Sequence, residues 1–200
     1  MHVAVAGAHG QIARRLTRLL SARGDTLTGL VRNPDHVADV GSDGATPVVL
    51  DLEHAGVDEV TAALDGADAV VFAAGAGAGS GAARKDTVDR AAAVLLADAS
   101  ERAGGPTYLL VSSMGVEQVA AGATPEGVDE VFVAYLRAKL AAEEDLLGRS
   151  GLGTTVLRPG RLTDDPGTGL VTLAPRTGYG AVPRDDVAAV LVALLDRPAP

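Results

Sequence analysis

The chain has 200 residues, of which 47% are hydrophobic, and a formal net charge of −9. This length and apolar content suit one domain with a sizeable core and exclude a disordered chain. The acidic balance disfavours nucleic-acid binding, because nucleic-acid-binding proteins need a basic face. Since cysteine is absent and the four histidines lack metal-ligand spacing, we expect neither disulfides nor a metal site.

The chain also lacks the features of a membrane or exported protein. No apolar run reaches the roughly 18 residues that a membrane helix needs. The first residues form a strand-like run and not the basic region of a signal peptide. We therefore predict a cytoplasmic protein with no membrane partner.

A strand, a glycine turn and a helix open the chain. His2–Ala6 is an apolar run, and residues 7–13 have the pattern G-x-x-G-x-x-A. Such a turn points free backbone N–H groups and the positive helix end at a phosphate, although a simple strand–helix turn is the alternative. Gly7 permits the sharp turn, and Gly10 lets a pyrophosphate approach the backbone. The predicted cofactor contacts here are Gly7, His9, Gly10, Gln11 and Ile12.

Strand-like apolar runs alternate with helical segments along the rest of the chain. The further predicted strands are 26–31, 46–50, 69–74, 107–111 and 154–157, and the later helices are 57–64, 86–103, 130–148 and 184–195. This alternation predicts an α/β single-domain Rossmann fold, a doubly wound, mostly parallel sheet with helices on both faces. One NAD(P)-binding domain would span residues 1–200, with a small substrate-side portion at about 158–183.

Three irregular segments are expected near the ligand. Residues 75–84 and 117–129 are predicted loops at the carboxyl edge of the sheet, where ligands bind in such folds. The stretch from Arg158 to Val182 is the least regular, and residues 169–173 are a candidate extra strand.

The end of the second strand indicates which nicotinamide cofactor binds. An NAD site usually places an acid there for the ribose 2′-hydroxyl, whereas this chain has Val31-Arg32-Asn33. Arg32 can instead hold a 2′-phosphate with two hydrogen bonds, unless it is only a solvated loop residue. We therefore predict NADP(H), with NAD(H) possible. Asp51 and Leu52 are expected beside the adenine ring, and Asp51 is equally well read as a helix cap.

A Tyr-x-x-x-Lys pattern provides the candidate catalytic pair. Tyr135 and Lys139 are four residues apart on a predicted helix, so both side chains share one face. A neighbouring ammonium should lower the tyrosine pKa toward the working pH, so that the tyrosine can exchange a proton with a substrate oxygen. The lysine can also bind ribose hydroxyls of the cofactor. The alternative is that Tyr135 and Lys139 are an exposed i,i+4 pair on an ordinary helix.

A serine pair closes the predicted fifth strand. One of Ser112 and Ser113 should point into the cleft and hold the substrate oxygen, and we choose Ser113. Strand alternation makes the other serine face away. A serine pair that merely ends a strand is the alternative.

Together these motifs resemble the short-chain dehydrogenase/reductase superfamily, in particular its small atypical NAD(P)H-binding, NmrA-like and epimerase/dehydratase-type members. The resemblance also rests on Ala73-Ala74-Gly75, Lys85 to Asp89, Arg158-Pro159-Gly160 and Arg184 to Ala188. It implies that Ala73, Ala74 and Gly75 line the adenosine side and that Arg158, Pro159 and Gly160 pass near the nicotinamide. It also implies catalytic roles for Ser113, Tyr135 and Lys139.

The resemblance implies an NADP(H)-dependent oxidoreductase that reduces a small carbonyl, quinone or flavin-like acceptor. One alternative is an NADP(H)-binding redox sensor without catalysis, since several atypical members lack the tyrosine–lysine pair. Another is an NAD-dependent sugar epimerase or dehydratase, which the short C-terminal portion disfavours. The expected partner is a small-molecule substrate, and the expected state is a monomer or homodimer.

Overall fold

The computed structural model describes residues 1–77 and 79–197, and within these ranges six parallel strands form the main sheet. They are β1 (His2–Ala6), β2 (Thr26–Val31), β3 (Thr46–Val49), β4 (Ala69–Phe72), β5 (Thr107–Val111) and β6 (Thr154–Leu157). Their spatial order is β3-β2-β1-β4-β5-β6. The strand order therefore switches between β1 and β4, where a crevice opens at the carboxyl ends. The predicted doubly wound Rossmann fold is confirmed.

Helices cover both faces of this sheet. The α-helices are α1 (Gln11–Arg23), α2 (Val37–Ser42), α3 (Val57–Ala63), α4 (Ala82–Arg84), α5 (Ala92–Arg102), α6 (Glu130–Leu147) and α7 (Arg184–Leu195). On one face α1 and α7 bury Leu16, Leu20 and Leu191 against the strands. On the other face α3, α5 and α6 enclose a core that includes the fully buried Phe72 and Tyr108. This burial of both strand faces explains the continuous apolar runs in the sequence.

The segment before α5 departs from the predicted regular helix at 86–103. A π-helix, Lys85–Ala91, joins α4 to α5, and it buries Lys85, Val88 and Asp89. Short π-helical insertions are often found at functional sites. Ala78, within the predicted loop 75–84, lies outside the described residues. The first half of the second predicted loop, 117–129, lies in a 3₁₀ segment, Val116–Gly122.

The extra strand predicted at 169–173 is wrong. Two short parallel strands form instead, β7 (Arg161–Thr163) and β8 (Ala181–Pro183). The backbone N–H groups of Thr168 and Gly169 donate to the carboxylate of Asp186, so they cannot join a strand ladder. Gly169 also adopts a left-handed φ of 71°, which breaks an extended run. The sequence analysis also missed the short helix α2.

Candidate active site

The glycine turn between β1 and α1 forms an anion cradle. Gly7 has a left-handed φ of 76°, and an added Cβ would lie 2.6 Å from Cα of Ala74. A Cβ on Gly10 would lie 3.0 Å from the carbonyl oxygen of Gly7. The first backbone bond of α1 runs from Arg14 N–H to Gly10 O, so the preceding amides of the helix have no acceptor within it. These residues fit a cofactor pyrophosphate, because the free N–H groups and the positive helix end favour an anion.

A cavity of about 280 Å³ lies beside this turn, at the carboxyl ends of β1, β2, β3 and β4. We call it the β2-side cavity. It brings together nine of the predicted cofactor residues, namely Gly7, His9, Gly10, Arg32, Asp51, Leu52, Ala73, Ala74 and Gly75. Gln11 does not line it; its side-chain oxygen accepts a 2.7 Å hydrogen bond from Arg15. The arrangement is suited to an adenosine group that continues from the pyrophosphate cradle.

Arg32 lies at the edge of this cavity with a partner that the sequence analysis missed. Its Nη1 donates to Oε2 of Glu53 at 3.0 Å, while 52% of the Arg32 side chain stays exposed. Glu53 also accepts hydrogen bonds from Arg84 and Thr87, at 2.8 Å and 2.7 Å. Two arginines therefore neutralise this carboxylate, and the remaining guanidinium donors of Arg32 can bind an anion.

Asp51 lines the β2-side cavity but caps no α-helix. One of its carboxylate oxygens accepts the backbone N–H of Glu53 at 3.0 Å, and the other lies 3.0 Å from Nδ1 of His54. The nearest helix, α3, has Gly56 as its N-terminal cap. The alternative of a helix cap is therefore wrong, and Asp51 fixes the turn that carries Leu52 and Glu53.

A larger cleft of about 1110 Å³ adjoins the β2-side cavity and shares residues 73–76 with it. We call it the β5 cleft, because the end of β5 forms its floor. It is lined by all three predicted catalytic residues, Ser113, Tyr135 and Lys139. Ile12, Pro159 and Gly160 line it as well, whereas Arg158 does not. One ligand could thus extend from the glycine turn to Tyr135.

The pKa of Tyr135 is raised and not lowered as predicted. Burial raises the pKa of Tyr135 to about 12, although a hydrogen bond with Ser113 offsets part of this rise. The negative charge of Asp89 raises the pKa further. The Nζ of Lys139 lies 5.9 Å from the centre of the Tyr135 ring. Tyr135 is consequently a neutral phenol at physiological pH, in a form that can donate a proton.

Lys139 does not reach into the cleft as a free cation. Its Nζ lies 3.3 Å from Oδ1 of Asp89 and donates to the carbonyl oxygen of Val111 at 3.0 Å. Burial lowers the pKa of Lys139, and the charge of Asp89 opposes that shift. Lys85 begins the π-helix, and its Nζ lies 5.6 Å from the Tyr135 ring centre. Its ammonium donates to Gly77 O at 2.9 Å.

The two serines at the end of β5 separate as strand alternation requires. Ser112 is buried and donates its hydroxyl hydrogen bond to Glu143, which is 1% exposed. Glu143 also accepts from the Arg158 guanidinium, whose Nε lies 3.0 Å from both carboxylate oxygens. The Arg158 guanidinium is therefore held in place by the buried carboxylate of Glu143. Ser113 remains on the cleft side, with its hydroxyl 3.0 Å from Met114 O.

An irregular segment, residues 164–180, joins β7 to β8, and we call it the strap. Its Tyr179 lines the cleft and donates a 3.3 Å hydrogen bond to Met114 O. Asp186, at the start of α7, accepts hydrogen bonds from Thr168 and Gly169. Those bonds lower the pKa of Asp186. One buried carboxylate thereby fixes the strap beside the candidate substrate site.

The fold and the glycine cradle define a Rossmann-type protein built to bind a dinucleotide. The chain belongs to the NAD(P)H-binding family, whose model matches residues 7–198. It is 34% identical over 198 residues to YhfK of Bacillus subtilis, named an uncharacterized sugar epimerase, covering 98% of this chain and 89% of YhfK. It is 35% identical over 209 residues to the UPF0659 protein YMR090W of Saccharomyces cerevisiae, covering 99% of this chain and 88% of that protein.

Solved structures resemble the whole chain. A Bacillus halodurans protein, provisionally named an NAD-dependent epimerase/dehydratase, superposes with a TM-score of 0.85 at 33% identity, covering 98% of this chain and 88% of that one. ChuY of Escherichia coli O157:H7, an anaerobillin reductase, has a TM-score of 0.82 at 26% identity, with coverage of 100% and 92%. The resemblance to the atypical short-chain dehydrogenase/reductase group is thereby confirmed.

Across residues 1–77 and 79–197, no helix is long and apolar enough to cross a bilayer. In the same described ranges, no group of three or more histidine or acidic side chains is placed to hold a metal ion.

Proposed function

We propose that this protein is an NADP(H)-dependent reductase that acts on a small carbonyl, quinone or flavin-like acceptor. The observation that carries the proposal is the position of the Tyr135 phenol beside Ser113, in a cleft that adjoins the cavity of the dinucleotide cradle. A proton donor at that place is what reduction of a carbonyl requires, because the acceptor oxygen must gain a proton when its carbon gains a hydride. The similarity to ChuY supports a reductase.

The residues of the β5 cleft have different roles in the proposed reduction. When bound, the reduced nicotinamide supplies the hydride. Tyr135 donates a proton to the acceptor oxygen, and Ser113 holds that oxygen with a hydrogen bond. Lys139 is a positioning residue, because it joins α6 to the end of β5 through Val111 O and keeps Tyr135 beside Ser113. The Ser112–Glu143–Arg158 network supports the other side of the same strand end.

The choice of NADP(H) over NAD(H) rests on Arg32. Glu53 is the carboxylate that pairs with Arg32, and the hydrogen bonds that it accepts from Arg32, Arg84 and Thr87 leave it poorly placed to select a ribose hydroxyl. The exposed face of the Arg32 guanidinium matches a 2′-phosphate in charge and in hydrogen-bond geometry.

An epimerase is a second candidate, because YhfK carries that name. An epimerase takes a hydride from its sugar and returns it, so the reaction consumes no net NADPH. The two candidates therefore differ in a directly measurable quantity, the oxidation of NADPH at 340 nm.

The test is an NADPH-oxidation assay with a panel of quinones, flavins and aldehydes, and with NADH in parallel. We expect net oxidation with at least one acceptor and faster turnover with NADPH. The Arg32→Ala variant should lose the NADPH preference while keeping NADH turnover. Faster turnover with NADH would contradict the role of Arg32, and no net oxidation alongside tight cofactor binding would favour the epimerase or a sensor.

A further inference from the structure

A second basic group lies next to Arg32 in the β2-side cavity. The imidazole rings of His9 and His36 are stacked, with ring centres 3.6 Å apart and planes inclined by 11°. His9 belongs to the glycine turn, whereas His36 ends a 3₁₀ turn that follows β2. Both rings line the same cavity as Arg32. The stack therefore joins the pyrophosphate cradle to the residues expected beside the ribose 2′ position.

Each ring is held by its neighbours. The Nε2 of His9 lies 2.8 Å from Oδ2 of Asp39, and this nitrogen carries the hydrogen because a carboxylate can only accept. The 3₁₀ turn is fixed by Asn33, whose side chain accepts the backbone N–H of Asp35 at 3.1 Å. Within the part of the chain that the structure describes, no protein group hydrogen-bonds to the ring nitrogens of His36. These nitrogens are available to a ligand.

We propose that His36, held by its stack on His9, is a second ligand of the 2′-phosphate and makes NADPH binding dependent on pH. The inference rests on the proposed use of NADP(H). Histidine changes its charge between pH 5 and 8, so a proton on the stack adds a cation beside Arg32. The stack accommodates one such proton, since two adjacent imidazolium rings would repel each other.

The charges around the stack come from three parts of the chain. Asp39 on α2 and Asp43, which directly follows α2, are acidic, Arg14 on α1 bonds to both of them, and Arg32 follows β2. The hydrogen bond with His9 and the charge of Arg14 lower the pKa of Asp39, so a negative carboxylate lies beside the stack. A bound phosphate dianion adds negative charge at the free edge of His36 and therefore promotes uptake of a proton. Binding of NADPH should then consume protons near neutral pH, and binding of NADH should not.

The test compares the dissociation constants of NADPH and NADH by fluorescence titration between pH 6.5 and 8.5 at constant ionic strength. We expect the preference for NADPH to fall roughly tenfold over this range, about the worth of one charge-assisted hydrogen bond. In the His36→Asn variant the preference should stay level or rise slightly with pH, because the ring that binds the phosphate is gone and His9 stays bonded to Asp39. His2→Asn, at the opposite edge of the sheet, is the matched control and should behave as wild type.

Calorimetry adds an independent measurement. In buffers of different ionisation enthalpy at pH 7.5, NADPH binding should show proton uptake in the wild type and little in His36→Asn. Equal loss of NADPH and NADH affinity in His36→Asn would overturn the inference, because it would place His36 on the adenine. An unchanged pH dependence would overturn it too. If neither cofactor bound at all, the proposed function would fail together with it.

Discussion

The Nζ of Lys139 and Oδ1 of Asp89 lie 3.3 Å apart, and their side chains are only 4% and 1% exposed. This buried pair fixes the lysine of the Tyr-x-x-x-Lys pattern on a carboxylate of the π-helix. The ammonium therefore serves to connect α6, β5 and the π-helix, and it does not stabilise a phenolate at Tyr135. Burial is the main cause of the high pKa of Tyr135, and the negative charge of Asp89 adds to it.

Replacement of one member of the Lys139–Asp89 pair should destabilise the fold. Asp89→Asn leaves a buried ammonium without its carboxylate, so we expect the free energy of unfolding to fall by about 3–5 kcal/mol. Urea denaturation followed by circular dichroism measures this change. The double variant Asp89→Asn/Lys139→Met should recover much of the loss, because it removes both charges. Equal stability of Asp89→Asn and wild type would mean that the pair is not formed.

The pH dependence of turnover should reflect a protonated Tyr135. A folded-state pKa of about 12 keeps the phenol protonated below that pH, so its proton-donating ability is lost only as the pH rises toward 12. At saturating NADPH, kcat for a carbonyl acceptor should show no decline between pH 7 and 10 that arises from Tyr135. A decline with a midpoint between pH 7 and 9 would instead indicate that Lys139 lowers the pKa of the phenol.

Gly7 should tolerate no side chain. In Gly7→Ala the new Cβ would lie 2.6 Å from Cα of Ala74, and the residue would keep a strained φ of 76°. We expect destabilisation of about 1–3 kcal/mol and weaker NADPH binding, measured by thermal unfolding and by titration. Gly41→Ala is the matched control, since its Cβ would meet nothing within 4 Å and would favour α2. Equal effects of the two substitutions would contradict this account of the turn.

The strap should depend on Asp186. Hydrogen bonds from Thr168 and Gly169 lower the pKa of Asp186. The stability that the ionised carboxylate contributes is therefore fully present above the ordinary aspartate pKa of about 3.9, and it is lost as the pH falls through the lower pKa of the folded state. In Asp186→Ala these bonds are lost at every pH. We expect trypsin to cleave several times faster after the exposed Arg176 in the strap. Asp58→Ala, on α3 and away from the strap, should leave the cleavage rate unchanged.

The sequence predicts those features that local pattern determines. The apolar runs place all six strands of the main sheet and the last helix, because a buried parallel strand is apolar on both faces and α7 begins directly after Pro183. The glycine turn is equally local, since Gly7 and Gly10 are required by the backbone of the turn itself. Ser112 and Ser113 both line the β5 cleft, but the Ser112 hydroxyl is donated to the buried Glu143, whereas the Ser113 hydroxyl bonds only to Met114 O.

The remaining features depend on contacts between distant parts of the chain. Spacing alone places Lys139 near Tyr135, but only the fold brings Asp89 from the π-helix to the same ammonium. The fold likewise brings Glu143 between Ser112 and Arg158, and Glu53 to Arg32. A buried carboxylate holds its partner cation in place, so sequence spacing cannot show that Lys139 binds Asp89 or that Arg158 binds Glu143. The segment from Lys85 to Asp89 contributes to the family resemblance, but the spacing of Lys85 and Asp89 does not predict a π-helix.

The most direct test of the account separates proton donation from cofactor binding at Tyr135. With a carbonyl acceptor identified from the panel, the Tyr135→Phe variant should lose most of its turnover, on the order of 10²-fold or more, and should bind NADPH as wild type does. Tyr108→Phe, whose hydroxyl bonds to Ala93 O in the core, is the control that removes a phenol away from the cleft. Unchanged turnover in Tyr135→Phe would contradict the assignment of the proton donor.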